Sequence, residues 1–237
     1  MDFTQAKHTS QRFDEDLQAI KSSLMELGGR VEKQVIDAVN ALEKADKELA
    51  EKVIISDDKV NQREMRLDED CTKILVKRQP AAGDMRFVVA VMRAAHDLER
   101  MGDEAKKIAK MSMKLGEAGE EAPQGYTEIR HIAAGVSRMV NESLDSFARF
   151  DAELALTVVE QDQIIDREYT SALRELMTYM MEDPRSIKRV MRILWALRSL
   201  ERIGDHAQNI AEHVIYIVKG KDVRHSSLEE VNEIVGK

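Results

Sequence analysis

The sequence predicts an all-α protein built as two tandem three-helix bundles, and three observations carry that prediction. Leu, Ala, Met, Glu and Lys abound, whereas aromatic residues make up 4% and the 237 residues hold only 11 glycines and 3 prolines. Such a chain favours helix and has too few turn formers for an all-β fold. Between the prolines, apolar residues recur at helical spacing without interruption. Finally, the chain repeats itself: Leu98 to Ala109 aligns with Leu200 to Ala211, with eight of twelve positions identical.

The prolines set the element boundaries, because proline breaks a helix and pushes its predecessor out of the α region. Pro80 and Pro184 end long helical patterns, and Pro123 sits in the Gly-rich stretch Gly116 to Gly125 near the midpoint. Helices are expected near 10–46, 48–78, 82–115, 126–149, 151–181 and 184–219. The third carries an apolar stripe at Val88, Met92, Ala95, Leu98, Met101, Gly102, Ala105, Ile108 and Ala109. In the sixth it runs through Ile193, Leu197, Leu200, Ile203, Gly204, Ala207, Ile210, Ala211, Val214 and Ile217. Asp84 and Asp183 read as N-caps, the latter with Pro184 at the first helical position. The resulting division is a first bundle at 1–117, a linker at 118–125, a second bundle at 126–220 and a frayed polar tail at 221–237. Long helices with short joints pack antiparallel.

Lys plus Arg number 36 against 44 for Asp plus Glu, a formal charge of −8. An acidic chain without a basic stretch argues against nucleic-acid binding. The longest apolar runs, Phe87 to Met92 and Val214 to Val218, fall far short of the roughly 18–20 residues of a membrane span. The polar N-terminus has no apolar segment of a secretory signal, and Cys71 stands alone, so no disulfide framework exists. A cytoplasmic protein is expected.

The repeated motif centres on Glu-x-x-x-Asp, at Glu99/Asp103 and Glu201/Asp205. Spacing i,i+4 puts both carboxylates on one helix face, where like charges repel. They lie on the shoulder of the apolar stripe and can reach the preceding helix. A weaker echo, Asp58 to Glu64 and Asp162 to Glu168, precedes each motif at matching distance from the proline. Counting back from Pro80 as far as the motif lies beyond it lands on Asp57 and Asn61; with a turn of slack, Asp58 and Asn61 are expected opposite the first motif. Asp162 and Asp166 are expected opposite the second. An all-oxygen cluster of this kind suits Mg, Mn, Fe or Zn. A single carboxylate pair of this spacing is ordinarily just a solvated face, and a mid-helix glycine ordinarily a close-packing site; the duplication is what favours a cation.

Other residues read more simply. His96 reads as a surface or structural residue, since a di-iron Glu-x-x-His order is missing, and His206, whose counterpart is Glu104, is expected at the surface. Cys71 is expected as a core thiol, and Met177, Met180 and Met181 as adaptable core. Trp195 is expected to pack against the bundle. No catalytic residue is assigned, because no nucleophile elbow, P-loop, dinucleotide glycine pattern, HExxH or CxxC occurs.

The paired LERxGDxA helices, RQPxxxDMR (Arg78 to Arg86), MTYMMEDPRSI (Met177 to Ile187) and IYIVKGKDVRH (Ile215 to His225) resemble the PhoU family across essentially the whole chain. The resemblance implies two three-helix bundles and restraint of phosphate uptake and of the phosphate-starvation response. The implied partners are a phosphate ABC transporter and a membrane sensor kinase, with any membrane contact indirect and the chain a homodimer. It also implies metal sites, which map onto Asp58, Asn61, Glu99 and Asp103 and onto Asp162, Asp166, Glu201 and Asp205. Asn61 stands where the family has Asp, which makes the first site the weaker one. Two classes of function stay open: a non-catalytic regulatory adaptor, and a metal-dependent carboxylate-cluster enzyme acting on a phosphorylated substrate. The missing histidines and nucleophile favour the adaptor.

Overall fold

In the computed structural model, residues 11–117 and 127–236 are described. The expected linker at 118–125 and the first ten residues lie outside them. The helices are α1 (Gln11–Lys44), α2 (Lys47–Arg78), α3 (Ala82–Glu117), α4 (Thr127–Arg149), α5 (Ala152–Glu182), α6 (Ile187–Lys219) and α7 (Leu228–Val235), with one 3-10 turn at Pro184–Ser186. The protein is all-α, with two three-helix bundles in tandem: α1, α2 and α3 pack together, as do α4, α5 and α6.

The joints are chemically matched. Ala45 and Phe150 adopt left-handed backbone, and each is followed by an aspartate cap. Asp46 accepts from Leu49 N, and Asp151 from Glu153 N and Leu154 N, satisfying free amides at the helix start. The longer joints contain the prolines. Gln79 closes α2 in left-handed backbone ahead of Pro80, and Asp183 caps the turn that opens on Pro184, as expected. Asp84, in contrast, is no cap. Met85 N already donates to Ala81 O at 2.8 Å, so α3 has begun by Ala82 and Asp84 sits in its first turn. There its charge still opposes the helix dipole favourably.

The apolar stripes of α3 and α6 are buried as read, apart from the half-buried Met92. These two helices run along one another, so the two bundles share one continuous apolar core rather than forming separate ones. α1 also packs on α4, and Phe87 of α3 meets Phe147 of α4 and Phe150 of the α4–α5 joint in tilted and edge-on ring contacts, with centroids 5.8–6.4 Å apart. Lys21 of α1 lies 4.2 Å over the Phe150 ring.

The C-terminal segment departs from the expected frayed tail. Ser227 and Glu230 form a reciprocal capping box, and Val231 and Val235 of α7 are buried against the second bundle. Lys219 donates to Val235 O at 2.9 Å. Two valines at i,i+4 suffice to anchor this short helix, while its charged residues hide the periodicity from a reading by composition.

Candidate functional site

In the second bundle the carboxylates converge. Asp162 and Asp166 of α5 meet Asp205 of α6, with one ligand oxygen from each lying within 4.8 Å of the others. Gly204 faces Asp162: a Cβ there would stand 3.6 Å from Asp162 Oδ1, an ordinary van der Waals contact. Glu201, one turn before Asp205, is only 8% exposed. One of its oxygens pairs with Arg198, and the other, Oε2, is buried without a partner. Burial, followed by repulsion from Asp166, Asp205 and Glu201, pushes the Asp162 carboxyl up to about 7. Burial and neighbouring carboxylates likewise raise Asp205 and Glu201. An orphaned buried oxygen beside three crowded carboxylates is a donor set that fits a hard cation.

The first bundle has a different residue at the key position. Asp57, fully buried, faces Gly102, whose added Cβ would stand 3.5 Å from Asp57 Oδ1. Asp58, expected there, is exposed on the outer side of α2. The reason is register. Buried residues of α2 and α5 pair as Ala50 with Ala155, Val53 with Val158, Asp57 with Asp162, and Val60 with Ile165. The echo aligned on the proline is therefore one residue out. By the same pairing Asn61 matches Asp166, and its Oδ1 is buried without a partner.

Asp57 is neutralised from within the chain. Lys106 Nζ lies 2.7 Å from its Oδ2, and Gln34 Nε2 lies 3.5 Å from Oδ1. Arg100 donates to Asp103 at 3.3 Å. Glu99 stands beside Glu64 and His96; burial and then Asp103 raise its pKa. His96 is exposed, as expected.

A second polar cluster, not read from the sequence, lies on the seam between the bundles. Asp97 of α3 accepts from His206 Nδ1 (2.9 Å), Asn209 Nδ2 (3.0 Å) and His213 Nε2 (3.1 Å) of α6. Burial alone would raise its pKa, but these donors bring it down to about 2. Glu104 nearby is buried between Lys107 at 2.8 Å and Arg202 at 3.1 Å. His206 is therefore a seam residue and not a surface one, and its ring is aimed at Asp97. The available signal was a charge on an apolar stripe: Asp97 continues Ala90, Ala94 and Met101, and Asp57 continues Ala50, Val53 and Val60.

Two further expectations fail. Trp195 is 53% exposed, because two residues beyond the buried Ile193 is about 200° round the helix. Met177 and Met181 are exposed rather than core, and Met180 is half-buried, since the fully buried stripe of α5 ends at Ala172. Cys71 is a core thiol as expected, its pKa pushed up to about 12 by burial. Among the described residues no helix is long and apolar enough to cross a membrane.

Comparison with known proteins agrees with this duplicated architecture. The family model for the PhoU domain matches twice, at residues 24–112 and 129–214. The "Phosphate-specific transport system accessory protein PhoU homolog" of Pseudomonas aeruginosa is 57% identical over 228 residues, 96% of this chain and 94% of that protein. The Escherichia coli "Phosphate-specific transport system accessory protein PhoU" is 38% identical over 229 residues, 97% of this chain and 94% of its own. The crystal structure of PhoU from Pseudomonas aeruginosa superposes with a TM-score of 0.86, at 57% identity, covering 88% of this chain and 100% of that one. The phosphate transport system regulatory protein PhoU from Streptococcus pneumoniae gives 0.83 at 30% identity, over 90% of this chain and 99% of that one. This chain belongs to the PhoU family, whose members are accessory and regulatory proteins rather than enzymes.

Proposed function

We propose, from its place in the PhoU family, that this chain is a cytoplasmic negative regulator of phosphate uptake and of the phosphate-starvation response. It acts as a non-catalytic adaptor, a homodimer that contacts a phosphate ABC transporter and a sensor histidine kinase. The observation that carries this reading is the match to accessory proteins of phosphate-specific transport systems along nearly the whole chain, over both repeats. Long helix faces are suited to regulation by contact.

The carboxylate stripe of the second bundle gives the adaptor a means of sensing. Asp162, Asp166, Glu201 and Asp205 would hold a divalent or trivalent cation, of Mg, Mn, Fe or Zn. When bound, the cation supplies positive charge and open positions for anionic oxygens such as those of phosphate. The chain's own part is to crowd the carboxylates of α5 and α6, with Arg198 holding Glu201 in place.

The test is a deletion strain assayed for alkaline phosphatase in high phosphate. We expect constitutive expression, and restored repression when the full chain is supplied. Normal repression in the deletion strain would refute the regulatory reading.

A further inference from the structure

We propose that the two bundles are not equivalent cation sites: the second takes a divalent cation on Asp162, Asp166 and Asp205, whereas in the first the Lys106 ammonium fills that place and no metal binds. The inference rests on the cation reading of the second bundle given above and concerns how this chain departs from its own symmetry.

The repeat makes the comparison residue by residue. Lys106 of α3 aligns with Gln208 of α6, four residues before which lie Gly102 and Gly204. Lys106 Nζ reaches 2.7 Å from the fully buried Asp57, the counterpart of Asp162. Gln208 cannot do this: its side chain is neutral and donates instead to Glu212 at 3.2 Å. Asn61 replaces Asp166, exchanging a charge for a neutral amide. Asp103 has Arg100 at 3.3 Å, whereas the corresponding Arg202 pairs with Glu104 across the seam at 3.1 Å and acts on Glu201 and Asp205 only through its field.

The charge balance follows. The second stripe gathers Asp162, Asp166, Glu201 and Asp205 with Arg198 as the cation in contact, and leaves Glu201 Oε2 buried and unpartnered. In the first stripe Asp57 and Asp103 each have a cation of their own, and Glu99 shares its surroundings with Glu64 and the exposed His96. Among the described residues, three acidic ligand atoms come within 4.8 Å of one another in the second bundle and not in the first. A lysine ammonium in direct contact with the deepest carboxylate excludes a metal ion from that oxygen both by charge and by occupancy.

Equilibrium dialysis of Mn2+ against the full-length chain tests this, with circular dichroism confirming that each variant is folded. The amide substitutions keep shape and remove charge. Asp162→Asn with Asp205→Asn should weaken Mn2+ binding by about tenfold or more. Glu99→Gln with Asp103→Asn should leave it within about twofold of the unmodified chain, because on this account no ion depends on them. Lys106→Gln with Asn61→Asp, which rebuilds the second-bundle pattern in the first, should add Mn2+ beyond the unmodified stoichiometry. Loss of Mn2+ in the Glu99/Asp103 variant, or no added Mn2+ in the Lys106/Asn61 variant, would overturn the asymmetry while leaving the second-bundle site standing. No Mn2+ bound by the unmodified chain would remove the cation reading itself, and this inference with it.

Discussion

Replacing Asp162 by Asn should stabilise the metal-free protein at alkaline pH. The carboxyl of Asp162 is nearly buried and is crowded by Asp166, Asp205 and Glu201, which together with burial raise its pKa from the ordinary 3.8 to about 7. A rise of that size corresponds to roughly 4 kcal/mol of folding stability lost once the pH exceeds both values. Solvent at the edge of the stripe screens part of this, so about half, ~2 kcal/mol, is the expected gain on removing the charge. For a chain of this size that is a rise in Tm of about 4–8 °C. The sign fixes the pH window. Between 3.8 and about 7 the folded state holds a proton that the unfolded state has released, so native stability falls as pH rises through this range. The Asn variant lacks that loss. Thermal unfolding in EDTA should therefore show a clear advantage for Asp162→Asn at pH 8 that nearly vanishes at pH 4. An equal advantage at both pH values, or a variant less stable at pH 8, would refute the argument that crowded charge destabilises this stripe.

The other predictions concern packing and the seam. Gly29→Ala should add about 0.5–1 kcal/mol in urea unfolding, since its Cβ meets open space. Gly28→Ala, whose Cβ would overlap the buried Leu144 side chain, should lose about 1–3 kcal/mol instead. Asp97→Ala strands His206, Asn209 and His213 on the seam and should destabilise by about 2–4 kcal/mol. In the unmodified chain the Asp97 contribution is complete above 3.8 and is lost as pH falls through about 2, so acid unfolding should begin at higher pH once Asp97 is removed. Cys71, buried and with its thiol raised to about 12, should resist a disulfide reagent at pH 8 until the protein is unfolded.

Much of this molecule is legible in its sequence because helices are local. Six long helices, their proline breaks and the buried faces of α3 and α6 follow from 3.6-residue periodicity, which each segment carries within itself. The repeated Glu-x-x-x-Asp pairs are legible for the same reason, since i,i+4 neighbours share a face in any helix. What faces them is not local. Whether Asp57 or Asp58 meets Gly102 depends on the relative slide of two helices, and one residue of slip turns a side chain about 100° round the axis. Aligning the halves on their prolines could not supply that slide, because the buried pairs Val53 with Val158 and Val60 with Ile165 keep a different register. The Lys106–Asp57 pair and the three donors on Asp97 belong to the same class: each joins residues far apart in the chain. Their partners are chosen by packing between helices, so only the assembled core decides which charges are neutralised within the chain and which stay crowded against like charge.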